Sequence, residues 1–244
     1  MLRHSLILLL LFCISLAAVP APAENKTDAL QTRALALQDQ GYQLFAHSQY
    51  AKAKEAFAGL LDIQEKNLGP DHAATLRTRY NLACCHEELG ELQKAAEIYA
   101  EVLEKEKKLL GKGHQDTVST LAALAFCYFK MKNHAMASEM FSHLAKIKSR
   151  QFGRDNLEAI SALDHLAQCY YSLGQWAQAE KTYSEVLACS ERSLSKDHPI
   201  TVSCLRALSE VCRKLGKNKK ADKFFARWRA ARDSRAADND AQKK

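Results

Sequence analysis

Glycine and proline are scarce in this 244-residue chain, which contains 9 glycines and 4 prolines. Both residues mark turns, so their scarcity argues against the many short strands and tight turns of an all-β protein. The helix-favouring residues alanine, leucine, glutamate, lysine and glutamine dominate instead. Composition alone therefore predicts an all-α protein.

Sequence motifs of catalysis are missing as well. The chain contains no glycine-rich phosphate loop, no G-x-S-x-G nucleophile elbow and no C-x-x-C pair. Acidic pairs such as Glu87 and Glu88 are most simply explained as solvated helix surface. The sequence gives no support to an enzyme, and we expect no catalytic residue, no cofactor and no bound metal.

The sequence has one long apolar run, between Leu6 and Leu16. Arg3 precedes this run and small residues ending in Ala23 follow it, which is the layout of a secretory signal peptide with its cleavage site. The run is shorter than the roughly 20 residues that span a bilayer. We expect residues 1–23 to be removed and the mature protein to be periplasmic or secreted. The alternative is an uncleaved N-terminus that anchors the protein in a membrane.

The net charge of +7 is concentrated at the C-terminal end, where residues 213–244 hold 12 Lys or Arg and 4 Asp or Glu. One interpretation is a basic helix that attaches the protein to an anionic membrane or polymer surface. We favour a last helix of the folded domain whose Phe224, Phe225 and Trp228 pack inward. We expect that domain to span residues 24–232, with a polar, disordered tail at 233–244. A nucleic-acid partner is not expected, because an exported protein rarely meets nucleic acid.

A repeat of 42 residues organises the mature chain, and no insertion breaks its register. Two of the recurring series are aromatic and alanine positions: Phe57, Tyr99, Phe141, Tyr183 and Phe225, and Ala53, Ala95, Ala137, Ala179 and Ala221. Each unit shows two amphipathic helical patterns, for example at about 71–89 and 92–110. A glycine such as Gly69 after the second pattern suits a left-handed helix C-cap.

The unit that starts at Leu166 reads LAQCYYSLGQWAQAEKTYSEVL, in which leucine and a small residue precede a glycine, an aromatic residue and an alanine. This pattern resembles the tetratricopeptide repeat. The 42-residue step, with connectors such as LGPDHAATL, resembles the long variant of kinesin light chains. The resemblance covers about residues 27–231. It implies a right-handed superhelical solenoid of about five antiparallel helical hairpins, with the first helix of each hairpin on the concave inner surface.

The resemblance also implies a binding site, because tetratricopeptide proteins commonly hold a partner peptide or helix on that surface. Carried over residue by residue, the groove positions are Tyr42, Phe45, Arg77, Tyr80, Asn81, Glu88, Phe126, Phe129, Lys130, Asp164, His165, Gln168, Tyr171, Arg206 and Arg213. Aromatic residues together with arginine are typical of binding hot spots. We therefore predict a non-catalytic scaffold or adaptor of the cell envelope or secreted space that binds a protein segment. The alternative is an accessory subunit of an envelope enzyme.

The cysteines fit a structural role better than a chemical one. One repeat position holds a series of small apolar residues: Cys85, Cys127, Cys169 and Val211. A position that accepts valine behaves as core. Elsewhere, Cys189 and Cys204 lie at similar distances on either side of the turn at Lys196 and can face each other as a disulfide, although packed helix axes often hold the Cα atoms too far apart.

Three histidines, His72, His114 and His198, also recur at the 42-residue step. Equivalent residues of successive repeats lie roughly 10 Å apart, which is too far to share one metal ion. We expect these histidines to help start their helices beside Asp71 and Asp197.

Overall fold

The computed structural model describes residues 26–242, so the predicted signal peptide lies outside the described residues. The described chain forms ten α-helices: α1 Lys26–Ala46, α2 Tyr50–Leu68, α3 Ala73–Glu88, α4 Leu92–Leu109, α5 Gln115–Lys130, α6 His134–Phe152, α7 Leu157–Ser172, α8 Trp176–Ser193, α9 Pro199–Lys214 and α10 Asn218–Gln242. No strand occurs between residues 26 and 242. The all-α prediction is confirmed.

Consecutive helices pair into five antiparallel hairpins, from α1/α2 to α9/α10, and each hairpin packs on the next. The predicted solenoid of about five hairpins is therefore confirmed. We call the face formed by the first helices of the hairpins, α1, α3, α5, α7 and α9, the inner surface. The second helices form the outer surface.

The aromatic series of the repeat forms the centre of the core. Phe57, Tyr99 and Phe141 are fully buried, and burying each of these rings contributes roughly 2–3 kcal/mol. Phe225, the last member of the series, is 37% exposed. It was predicted to pack inward, but no sixth hairpin follows α10 within the described chain to cover it. Phe224 and Trp228 do pack against the core, as predicted.

The recurring histidines begin three of the inner helices. The backbone N–H groups of Ala74, Asp116 and Ile200 donate hydrogen bonds to the Nδ1 atoms of the histidines two residues earlier, at 3.2, 3.2 and 3.3 Å. Each histidine thus satisfies a backbone donor that the first turn of a helix leaves free. The prediction that these histidines help to start helices is confirmed.

The connection between hairpins uses glycine differently from the sequence prediction. Gly69 follows α2 with a φ of 90° and a ψ of 163°. This is an extended conformation at positive φ, which is essentially restricted to glycine. It differs from the left-handed helical conformation that the sequence predicts for a C-cap. The chain has to leave α2 without a further turn to reach α3. The hydroxyl of Thr75 then donates to the carbonyl oxygen of Gly69 at 2.8 Å, which fixes this connection.

The last helix continues to Gln242, beyond the predicted end of the folded domain at residue 232. The structure thus gives helix where the sequence predicts a disordered tail. The segment is rich in alanine and aspartate and contains no glycine or proline, so nothing in it stops a helix that has already begun.

None of the helices between residues 26 and 242 combines the length and the apolar character needed to cross a membrane.

Candidate functional site

The inner surface opens between α5 and α7. The backbones of these two helices lie apart, although each helix packs closely on α6 and their side chains meet in ring contacts such as that between Phe126 and His165. The opening is a pocket of about 350 Å³. Its walls are mainly apolar, with Val118, Ala122 and Phe126 from α5 and Ala162 and His165 from α7. We call it the aromatic pocket.

Three rings, Phe126, Phe141 and His165, line this pocket, and Phe129 packs against two of them. His165 lies 4.8 Å from Phe126 and 5.9 Å from Phe129, both edge to face. The ring of Phe126 also contacts Phe141 edge to face, at 5.2 Å. Such aromatic pairs stabilise by about 0.5–1.5 kcal/mol beyond their buried area. Phe126 nevertheless stays 36% exposed, so the pocket presents a firm apolar wall to a ligand.

One end of the aromatic pocket is charged. Lys148, on α6, is 8% exposed and forms an ion pair with Glu158 at the start of α7. Both side chains line the pocket. A ligand that fills the pocket therefore meets an apolar floor and, at one end, a charged pair whose remaining hydrogen-bonding capacity is open to it.

A second pocket, of about 260 Å³, lies between α1, α3 and α5. It contains four of the predicted groove residues: Tyr42, Arg77, Tyr80 and Asn81. The side-chain amide of Asn81 donates to the hydroxyl oxygen of Tyr42 at 3.1 Å, and Arg77 pairs with Asp116 at 3.6 Å. We call it the N-terminal pocket.

The base of the N-terminal pocket holds a buried acid. Glu106, on α4, is 3% exposed, and its Oε2 atom has no hydrogen-bond partner among the described residues. Burial raises the pKa of the Glu106 carboxyl, and the nearby charge of Asp116 raises it further, while Thr120 opposes the shift with a hydrogen bond. The pocket thus has a buried acceptor without a partner at its base.

A third pocket, of about 400 Å³, lies at the C-terminal end of the inner surface. The Tyr171 hydroxyl donates to Glu210 at 3.0 Å, and Arg206 donates to the same carboxylate at 3.1 Å. Trp228 of α10 contributes an apolar wall. We call it the C-terminal pocket, and it includes the predicted residues Tyr171 and Arg206.

Several predicted groove residues serve other contacts. Lys130 pairs with Glu87 of the preceding hairpin at 2.7 Å. Arg213 pairs with Asp222 of α10 at 3.8 Å. Phe45 packs edge to face on a ring of its own hairpin, with the centroids 5.2 Å apart.

Asp164 is a clearer departure from the prediction, because it is buried rather than facing a ligand. Burial raises the pKa of its carboxyl, and a hydrogen bond that Gln168 donates at 2.8 Å opposes the shift. These two predicted residues thus satisfy each other on α7. Glu88, the remaining predicted residue, is exposed on α3.

The sequence analysis missed the residues that form the bases of the pockets, because they lie on second helices. Glu106 and Lys148 occupy one repeat position with two other buried polar residues, Gln64 and Ser190. A polar residue at a core position of an amphipathic helix is unusual. The same 42-residue comparison could therefore have found this series.

All seven described cysteines are free thiols, so the disulfide considered between Cys189 and Cys204 is not present. The Sγ of Cys204 donates instead to the carbonyl oxygen of Tyr183 at 3.0 Å, and Cys189 accepts from Arg192 at 3.3 Å. Cys169, in the core series, is fully buried, and burial raises its pKa to about 12. Its thiol is therefore protonated and acts as a small apolar group.

The basic last helix is held to the array by ion pairs. Lys217 and Lys220 contact Glu180 of α8 at 2.5 and 2.6 Å, and Arg227 pairs with Glu191. Part of the C-terminal charge is therefore used within the fold. Between residues 26 and 242, no group of three or more His, Cys, Asp or Glu side chains is arranged to hold a metal ion.

The fold and its inner pockets define an all-helical repeat array of the kind that binds other proteins. The tetratricopeptide repeat profile matches residues 32–108, 116–191 and 158–234. The chain therefore belongs to the tetratricopeptide repeat family, whose arrays are typically non-catalytic interaction scaffolds. No curated protein gives a significant sequence match.

Solved structures share the fold at low sequence identity. A protein of Podosopora anserina described as a kinesin light chain with nearly identical TPR-like repeats is 20% identical, with a TM-score of 0.70, over 84% of this chain and 97% of that one. BtubC (BKLC) from P. vanneervenii is 16% identical, with a TM-score of 0.59, over 85% of this chain and 92% of that one. MamA from Desulfovibrio magneticus RS-1 is 10% identical, with a TM-score of 0.63, over 83% of this chain and 96% of that one. These likenesses show the right-handed superhelical solenoid, and the resemblance to kinesin light chain repeats is confirmed.

Proposed function

We propose that this protein is a non-catalytic adaptor that binds a segment of a partner protein along its inner surface. The aromatic pocket carries the proposal, because it combines a volume of about 350 Å³ with mainly apolar walls and a partly exposed Phe126. A well-packed pocket that takes one apolar side chain is the usual centre of a protein interface. An aromatic or large aliphatic residue of the partner fits this pocket.

The two flanking pockets supply polar contacts on either side of that anchor. The N-terminal pocket offers Glu106, Asp116 and Arg77, and the C-terminal pocket offers Arg206 and Glu210. Charged and hydrogen-bonding groups at the edges of an interface favour one orientation of a ligand over the other. The proposed partner segment therefore carries an apolar residue in its middle and polar residues toward both ends.

The proposed place of action is the cell envelope or the secreted space. The apolar run between Leu6 and Leu16, followed by small residues up to Ala23, supports export. N-terminal sequencing of the protein purified from its own cells tests this part independently of binding. Export with cleavage predicts that the mature chain starts at Glu24, whereas a chain starting at Met1 contradicts it.

Selection from a random peptide library displayed on phage tests the binding. We expect selected peptides to share an aromatic or aliphatic anchor and to lose at least about tenfold in affinity for Ala122→Arg, in which the new side chain fills the aromatic pocket. Phe126→Ala, which removes a wall, is the second variant. Ala177→Arg places the same substitution on an exposed position of α8 and is the matched control. Equal binding by Ala122→Arg and Ala177→Arg contradicts the proposal.

A further inference from the structure

The outer surface carries a crevice that the proposed binding of a partner on the inner surface does not use. It lies between α6 and α8, which each pack on α7 but scarcely on each other. Its volume is about 610 Å³, and its floor is formed by Leu163, Leu166 and Tyr170 of α7. These residues project from α7 on the side opposite His165 of the aromatic pocket, as the 3.6-residue period of a helix requires.

Four cations line this crevice, which we call the basic crevice. Lys146 and Arg150 belong to α6, Arg154 follows α6, and Lys181 belongs to α8. None of the four forms an ion pair or a side-chain hydrogen bond with any residue between 26 and 242. Glu185 is the one acidic side chain in the lining. The crevice lining therefore carries a net positive charge, concentrated on the α6 side.

The repeat shows why Arg150, one of these cations, lacks a partner. Arg192 stands 42 residues after Arg150 and donates two hydrogen bonds to Asp155, at 3.0 and 2.6 Å. The residue 42 positions before Asp155 is Gly113, which has no carboxylate. Arg150 thus lacks the acid, on the connection between α4 and α5, that would correspond to the partner of Arg192.

An ion pair of the neighbouring crevice is also absent from the basic crevice. Arg227 pairs with Glu191 in the crevice between α8 and α10. The residues 42 positions earlier are Glu185 and Ser149. The arginine is therefore replaced by an acid and the acid by a neutral residue, so no ion pair forms at this place in the basic crevice.

We propose that the basic crevice binds an acidic segment of a polypeptide. Charge complementarity selects the ligand, because carboxylates placed in the crevice meet lysine and arginine on the α6 side and Lys181 on the α8 side. The apolar floor accepts aliphatic side chains, and Ser142, Ser149, Gln178 and Thr182 along the walls can bond a peptide backbone. A planar membrane cannot reach this floor, and a crevice of this volume is too small for a nucleic-acid duplex.

A fluorescein-labelled peptide of alternating glutamate and leucine probes the crevice in an anisotropy titration with the full chain. The same peptide with glutamine in place of glutamate is the ligand control. We expect the acidic peptide to bind, its affinity to fall as salt is raised, and the glutamine peptide to bind at least about tenfold more weakly.

Gly113→Asp is the most specific variant, because it gives Arg150 an acidic partner on the connection between α4 and α5, as Asp155 serves Arg192, without removing any cation. A Cβ at residue 113 meets only the side-chain amide of Gln151, at 3.6 Å, so the substitution fits. We expect Gly113→Asp to weaken acidic-peptide binding about tenfold and Gly113→Asn, its uncharged match, to leave binding unchanged. Arg150→Ala combined with Lys181→Ala should weaken it further, whereas Lys219→Ala with Lys223→Ala on α10 should not.

Three results would overturn the proposal. One is equal binding by Gly113→Asp and Gly113→Asn. Another is an equal loss of acidic-peptide affinity in the Arg150→Ala/Lys181→Ala and the Lys219→Ala/Lys223→Ala double variants, which would indicate non-specific electrostatic attraction. The third is tighter Arg150-dependent binding of phosphatidylglycerol vesicles or of oligo-dT than of the acidic peptide. Loss of the aromatic pocket through Ala122→Arg leaves acidic-peptide binding intact, so the two proposals fail separately.

Discussion

His165 lies flat against Phe141, with the two ring centroids 5.1 Å apart and the ring planes 21° from parallel. Phe141 is a fully buried member of the repeating aromatic series, whereas His165 faces the aromatic pocket. The nitrogen Nδ1 of His165 lies 2.8 Å from the carbonyl oxygen of Ser161, which fixes the ring on its own helix. A residue of the common core therefore positions a residue of the candidate site.

This stack leads to a prediction about the site. We expect His165→Ala to remove one wall of the aromatic pocket and to lower the affinity for the selected peptides about tenfold. His165→Phe should keep the stacked ring and most of that affinity. Anisotropy titration of both variants measures the difference. If both variants bind alike, the ring is not part of the binding site.

Two glycines inside the first hairpin should respond in opposite ways to alanine. A Cβ at Gly41 of α1 would lie 2.6 Å from the buried ring of Phe57, so Gly41→Ala should cost about 1–3 kcal/mol of unfolding free energy. A Cβ at Gly59 of α2 meets only Leu37, at 3.4 Å, so Gly59→Ala should gain up to about 1 kcal/mol. Urea unfolding of the two variants gives the comparison. A gain for Gly41→Ala contradicts the close approach of α1 and α2.

Lys132 occupies a turn position that favours glycine. Its φ is 59°, and the equivalent residues of three other hairpins are Gly90, Gly174 and Gly216. A side chain in this left-handed conformation costs roughly 1 kcal/mol. We therefore expect Lys132→Gly to stabilise the protein by about that amount and Gly90→Lys to destabilise it similarly, as measured by thermal unfolding. Destabilisation by Lys132→Gly would show that the lysine makes a contact that outweighs the strain.

Glu106 should make stability depend on pH. Because burial raises the pKa of its carboxyl in the folded state, the folded protein binds the proton more tightly than the unfolded chain. Stability is then lost as the pH rises from the unfolded pKa of about 4.3 through the folded value. Glu106→Gln removes this loss and should raise stability at pH 7 by about 1 kcal/mol.

Unfolding in urea at pH 4 and pH 7 measures this effect. The gain for Glu106→Gln should shrink at pH 4, where the wild-type carboxyl is largely protonated in the folded state. Glu104→Gln is the control, because Glu104 is exposed, and its pKa is lowered by the hydrogen bond from Lys107. Glu104→Gln should therefore lose only a small amount of unfolding free energy. Should Glu106→Gln destabilise the protein at pH 7, the buried carboxylate has a partner that stabilises its charged form.

The repeat register is the reason that the fold could be predicted in detail. Positions such as Phe57, Tyr99 and Phe141 recur in phase because each hairpin buries them against its neighbour, and all three are fully buried. The capping role of His72 followed from its place before a helix pattern. Phe225 was assigned to the core by the same register but lacks a following hairpin.

The candidate site could be predicted only in part. Neighbouring residues on a helix point about 100° apart, so Asp164 is buried while His165 reaches the aromatic pocket. The separation of α5 from α7, which opens that pocket, depends on tertiary packing that no local pattern records. The bases of the pockets, including Phe141 and Glu106, come from second helices, which the family's groove positions do not include.

Photo-crosslinking from the aromatic pocket is the sharpest test that a partner segment binds along the inner surface. A benzophenone amino acid at position 126, inside the pocket, is compared with the same group at position 177 on the outer surface, using the phage-selected peptides. We expect peptide adducts from position 126 that an excess of unlabelled peptide removes, and few from position 177. Equal labelling from the two positions, or adducts from position 177 alone, would contradict it.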